Sequence, residues 1–179
     1  MYTEKMELGA FDVVSGRLIV SDPCYKPGTL CMVEIENVLN GTWQAAVIYF
    51  DAGEWGKRVA RLTVHHEHYP RTKGLFSHEA SFEIGVDSGQ AGFFDSLHYQ
   101  DDASVPESQT NFGDAWYSYC CNTTLSRMQA GVLPYGVVSS SGFGDGGYVC
   151  RYWETPTGHV VKAEIIFITK KEMREWIDE

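Results

Sequence analysis

Basic residues are scarce in this chain: 14 Lys and Arg stand against 24 Asp and Glu, a formal net charge of -10 over 179 residues. Without a dense Lys/Arg face nothing displaces counterions along a phosphate backbone, which excludes extended nucleic-acid backbone binding while leaving room for a local anion pocket. No apolar run approaches the roughly 20 residues a membrane-crossing helix needs. The opening Met1-Tyr-Thr-Glu-Lys-Met-Glu7 has no basic segment followed by an apolar one. The expectation is a soluble, cytoplasmic protein with no membrane contact. The cysteines, Cys24, Cys31, Cys120, Cys121 and Cys150, are odd in number and contain no Cys-x-x-Cys pair. Adjacent cysteines rarely bridge each other, so reduced thiols are expected. Also missing are Gly-Lys-Ser/Thr, Gly-x-Ser-x-Gly and His-Glu-x-x-His, which removes phosphate-loop, serine-elbow and helical zinc-protease readings.

Aromatic residues, by contrast, are plentiful at 13%, with 10 Tyr and 5 Trp. Rings fit the pleated, half-buried surface of strands, so the excess points to a β-rich core, with some rings left for a pocket or a sticky surface. At 179 residues and 44% hydrophobic content, the chain can bury its core as one domain, residues 1–179, without disulfides, metal or partner.

Local patterns place the elements. Arg17-Leu-Ile-Val-Ser21 reads as a short strand closed by Asp22-Pro23, because proline removes a donor and drives the preceding residue to extended conformations. Cys31 to Glu36 alternates apolar and polar, and Asn40-Gly41 is a turn dipeptide, so strands 31–38 and 42–50 read as a hairpin. Strand 58–66 continues the meander. Phe82–Val86 and Ala91–Phe94 flank Asp87-Ser-Gly-Gln90 as a second hairpin-like unit. Residues 101–110 are polar and read as an exposed loop. Residues 111–128 hold one or two helical turns, with Trp116, Tyr119 and Cys120 at compatible spacing. His159–Ile168 is the longest strongly apolar run and is expected to be central, while Thr169-Lys-Lys-Glu172 is a capping box opening a helix with Met173, Trp176 and Ile177. The expected fold is mainly β: an antiparallel sandwich or curved sheet with one short internal helix and a short C-terminal helix.

Acidic residues recur at turns bracketed by glycine or proline: Asp22 before Pro23, Asp87 before Ser88-Gly89, Asp95 after Gly-Phe-Phe, and Asp145 between Gly144 and Gly146. Strand ends aim such carboxylates while their loops leave space for a ligand, although aspartate also suits turns by bonding its own backbone. Ser139-Ser-Ser-Gly-Phe-Gly-Asp-Gly-Gly-Tyr148 is the densest glycine segment and specifies a shaped loop around Asp145. In the following strand Tyr148, Cys150 and Tyr152 fall on one face and Val149, Arg151 and Trp153 on the other, which makes Arg151 a candidate to hold an anionic group near that loop. The predicted ligand-binding set is therefore Asp22, Asp87, Ser88, Gly89, Gly144, Asp145, Gly146 and Arg151. His65-His-Glu-His68 sets His66 and His68 on one strand face, but no third ligand is identified among His78, His98, Cys120, Cys121 or the aspartates, and Pro70 ends the segment. No metal site and no cofactor are assigned. Trp43, Trp55, Trp116, Tyr117, Tyr119, Tyr148, Tyr152 and Trp153 are available as stacking walls or as core.

Three segments in order, Gly16 to Asp22-Pro23, Val86-Asp87-Ser-Gly89 followed by Phe-Phe-Asp95, and Gly142-Phe-Gly-Asp-Gly-Gly-Tyr148 followed by a strand ending Ile-Ile-Phe, resemble an uncharacterised bacterial and phage family, domain of unknown function 4241. The second glycine after Asp145 and the cysteine in Asp-Pro-Cys depart from its pattern. The resemblance implies no established reaction and no catalytic residues.

The first functional expectation is a non-catalytic binding protein that captures a small polar ligand or a protein partner, as in phage or bacterial conflict and immunity. A second is a metal-assisted hydrolase using Asp22, Asp87, Asp95 and Asp145. A third is a structural or oligomerisation module, and a homo-oligomer is compatible with any of them.

Overall fold

The structure, a computed structural model, describes residues 3–69, 78–107 and 112–178. A six-stranded antiparallel sheet runs in the order β1 (Thr3–Val13), β4 (Gly41–Asp51), β5 (Lys57–His66), β11 (Val160–Ile166), β10 (Gly146–Glu154), β6 (His78–Val86). A five-stranded antiparallel sheet packs against it, ordered β3 (Val33–Ile35), β2 (Leu18–Ser21), β7 (Gln90–Asp95), β9 (Gly136–Ser140), β8 (Ala130–Leu133). Helix α1 (Ala115–Thr124) covers part of the five-stranded sheet, and α2 (Lys170–Asp178) ends the chain. The mainly β sandwich with two short helices is the fold that the patterning implies.

Side-chain alternation builds two apolar layers. Trp43, Val47, Phe50 and Leu62 from one sheet and Leu18, Val20, Phe93 and Val137 from the other are fully buried in the main core. Each such side chain contributes about 1.5–3 kcal/mol by leaving water. The alternate residues Ile19, Phe94 and Val138 point the other way, onto Trp116 and Cys120 of α1. Strands β2 and β7 are thus covered on both faces, which is why their sequences are nearly continuous apolar runs. Gly92 marks the tightest approach: a Cβ there would lie 2.1 Å from the Val137 carbonyl oxygen.

The capping box forms as the sequence specifies. Glu172 N donates to Thr169 Oγ1 at 3.2 Å and Thr169 N donates back to Glu172 Oε2 at 2.7 Å. It aims Met173 into the core and lets the Trp176 indole donate to the Ala52 carbonyl at 3.2 Å.

Two expected hairpins are not formed. Strand β3 pairs with β2 in the five-stranded sheet, whereas β4 pairs with β1 and β5 in the other. Between them the chain turns at Asn37, with φ 56°, and Val38 N and Leu39 N donate to Gly16 and Val160 carbonyls, so Asn40-Gly41 is an entry to β4 and not a hairpin turn. Likewise β6 pairs with β10 and β7 with β2 and β9, so Asp87-Ser-Gly89 carries the chain from one sheet to the other. Strand β1 was not read from the sequence, because its exposed charges and the register shift between Glu7 and Gly9 blur the alternation of Met6, Leu8, Phe11 and Val13. The internal helix is longer than expected, 10 residues. Strand β11 is interior, as its apolar run implies. Among the described residues no helix is long and apolar enough to cross a membrane.

Candidate functional site

The chain passes between the sheets twice at one end of the sandwich, from β6 to β7 through residues 87–89 and from β9 to β10 through residues 141–145. The two crossings touch: Ser141 N donates to the Gly89 carbonyl at 3.0 Å, and the Asp145 carboxylate lies 4.0 Å from where a Gly89 Cβ would stand. Gly89 has φ +69°, a left-handed conformation that a side chain would strain. The second crossing closes on itself, with Gly144 N donating to Ser141 O at 2.9 Å and Ser141 Oγ donating to Gly144 O at 2.8 Å.

Asp22 sits at the centre of the first crossing and is fully buried. Its carboxylate accepts from Cys24 N at 2.8 Å, Ser88 Oγ at 2.6 Å, Asp87 N at 2.9 Å and Ser88 N at 2.6 Å. Four donors occupy the acceptor sites of an ionised carboxylate, so Asp22 fixes the end of β2 to the crossing and has no lone pair to spare for a ligand. Asp95, at the other end of β7, is used in the same way by Val14 N, Ser15 N, Ser15 Oγ and Leu97 N.

The loop after Asp22 forms one wall of a cleft of about 410 Å3. Tyr99 hydroxyl donates to Tyr25 O at 2.6 Å, and Gln100 Nε2 donates to Pro23 O at 3.1 Å and Tyr25 O at 2.9 Å, which pins this wall to the segment following β7. Cys24 and Lys26 line that side, Gln100 and Asp102 the floor, and the start of α1 the other side, through Phe112, Asp114, Trp116 and Tyr117. Asp102 Oδ1 accepts from Trp116 N at 2.9 Å, anchoring α1 to the floor. Partial burial and the neighbouring Asp22 carboxylate push the Cys24 thiol up to about 12, so it is a neutral hydrogen-bonding group and a poor nucleophile at neutral pH. Burial, with the Cys121 side chain beside it, also pushes the Tyr117 phenol up and keeps it protonated.

The predicted ligand-binding residues divide into three groups. Asp22, Ser88 and Gly89 are brought together as the scaffold behind the cleft, and none of them lines it. Asp87 is exposed and accepts from Tyr25 hydroxyl at 2.5 Å; this bond is the main cause of the raised Tyr25 pKa. Gly144, Asp145 and Gly146 border the same end of the sandwich, and the exposed Asp145 carboxylate has no hydrogen bond among the described residues. Arg151 stands apart. It lies on the outer face of the six-stranded sheet, where Nε and Nη2 donate to the buried Glu164 carboxylate at 2.9 and 2.5 Å and Nη1 reaches Glu79 at 3.4 Å. The strand alternation set its face correctly, but that face points away from the cleft.

His66 is buried edge-on against Trp43. Its Nδ1 accepts from His68 N at 3.1 Å and its Nε2 donates to Asn40 O at 3.0 Å, so both ring nitrogens are occupied. No group of three or more His, Cys, Asp and Glu among the described residues is arranged to hold a metal ion. The cleft residues that the sequence reading left out are Lys26, Gln100, Asp102, Phe112, Gly113 and Asp114. Only Asp114 carried a local signal, as a helix-capping residue type directly before Ala115-Trp-Tyr. Compared with protein-family models, with curated proteins and with solved structures, the chain has no match in any of the three.

Proposed function

We propose that this protein is a non-catalytic binding protein and that the cleft between residues 23–26 and the start of α1 receives a small polar ligand. The observation that carries this reading is the cleft itself. Its volume of about 410 Å3 falls in the usual range for small-molecule sites, and it combines the rings of Phe112, Trp116 and Tyr117 with Lys26 and Asp114. Its walls are held by bonds from Asp22, Asp102, Tyr99 and Gln100, so the site is largely formed before a ligand arrives. The saturated Asp22 and Asp95 carboxylates serve this arrangement as fasteners, which weighs against an aspartate-based hydrolase. Membership of the resembled bacterial and phage family, and a role in conflict or immunity, belong to the same reading.

A thermal-shift screen of amino acids, nucleosides, sugars and organic acids tests it, run in parallel on Cys24→Trp, which fills the cleft from an exposed position. The expected result is a compound that stabilises the wild type and leaves the variant unshifted, with both unliganded proteins melting alike. A screen in which no compound acts, or one whose hits shift both proteins equally, overturns the proposal.

A further inference from the structure

We infer that the ligand of this cleft is a zwitterion of amino-acid or dipeptide size, its carboxylate held by Lys26 and its ammonium group by Asp114. The inference rests on the cleft being the binding site and adds the chemical class.

Lys26 and Asp114 line the cleft from two different segments, the loop after β2 and the start of α1, and neither has an ion pair or a side-chain hydrogen bond among the described residues. Elsewhere on this protein the cations are commonly paired: Lys5 with Glu7, Arg17 with Glu34, Lys57 with Glu4, and Arg61 and Arg151 with Glu164. Asp114 is unengaged for a specific reason. It holds the N-cap position of α1 with extended backbone, φ -64° and ψ 152°, where an aspartate ordinarily turns its carboxylate onto the second or third amide of the helix. Here Asp102, from the cleft floor, accepts from Trp116 N instead. A residue distant in sequence performs the cap, and the capping residue's own carboxylate remains unused beside the cleft.

A ligand that fills the cleft strips water from both walls. A singly charged ligand leaves one of the two charges dehydrated and unpartnered and a neutral ligand leaves both, which is costly, whereas a ligand with one charge of each sign compensates both. Phe112 and Tyr117, which line the cleft beside Asp114, favour an apolar or aromatic side chain on that ligand.

Isothermal titration of the standard L-amino acids and of the dipeptides Phe-Gly and Gly-Phe provides the test, followed by the N-acetyl and the amide forms of the best binder. The expected result is binding that weakens by roughly tenfold or more when either end is blocked. Lys26→Met weakens the free acid while leaving the already weak amide unchanged, and Asp114→Asn does the same for free amine against N-acetyl form. If the metabolite screen yields a ligand that Cys24→Trp excludes, but neither charge variant changes its affinity, the zwitterion assignment is overturned and the cleft reading stands. If no compound in either panel binds, both fall.

Discussion

Ser88 donates to Asp22 twice, from its amide and from its hydroxyl, both at 2.6 Å. A single serine thereby joins the end of β2 to the point where the chain leaves one sheet for the other. Hydrogen bonds to a buried charged acceptor are worth about 1.5–3 kcal/mol each. Ser88→Ala is expected to cost an amount in that range in urea unfolding. Asp22→Ala, which orphans four donors at once, is expected to cost at least twice as much. Equal losses for the two variants would show that the carboxylate is not the hub.

Gly92 and Asp145 form a contrasting pair. An alanine at Gly92 places its methyl carbon 2.1 Å from backbone, between paired central strands that have no room to part. Gly92→Ala is expected to lose about 4 kcal/mol or more, or not to fold. Asp145→Asn alters an exposed, unbonded carboxylate and is expected to stay within about 0.5 kcal/mol of wild type. Denaturant midpoints compare the two directly, and a large loss at Asp145 would make it a structural residue instead.

The reciprocal bonds of Thr169 and Glu172 predict non-additive losses. Thr169→Ala and Glu172→Ala are each expected to cost about 1 kcal/mol, and the double variant less than the sum, because either change already breaks the box. Helical content in the last turns, read by amide exchange in residues 170–178, should fall in parallel.

Alkaline pH is expected to destabilise the fold. Burial is the main cause holding the Cys120 and Cys150 thiols well above their ordinary value of 9.0. In the unfolded chain these thiols lose their protons as pH passes that value, while the folded chain retains them. The stabilisation is therefore complete below pH 9.0 and declines as pH climbs toward the raised folded values. The urea midpoint should fall between about pH 9 and pH 10.5, with a shallower slope in Cys150→Ala. A flat profile over that interval would contradict the burial of these groups.

Local chemistry in the sequence identified the strands around residues 18–21, 58–66 and 148–153, the interior position of β11 and the start of α2. Each rests on neighbours within a few residues: alternation, a proline stop, a capping box. Which sheet receives the next strand does not. Asp87-Ser-Gly89 has the turn chemistry of a hairpin, and only the bonds from Asp22, 65 residues away in sequence at Asp87, convert it into a crossing. The same limit hid the cleft. Its walls come from residues 23–26, 100–102 and 112–117, and the freedom of Asp114 depends on Asp102, 14 residues from the amide it caps. The glycine loop was legible as a shaped segment, while its purpose, passing from β9 to β10, needed the pairing of both strands.

Helix α1 packs through an apolar cluster of its own, with Ile19, Phe94, Tyr99, Leu133 and Val138, separate from the larger cluster between the sheets. The two layers can come apart at different free energies, so α1 can lift while the sandwich endures. One wall of the cleft, at the start of α1, belongs to that separate layer. A ligand bridging Lys26 and Asp114 would clamp that layer down, and its binding would be felt as slower opening of α1 as well as a rise in the melting of the whole chain.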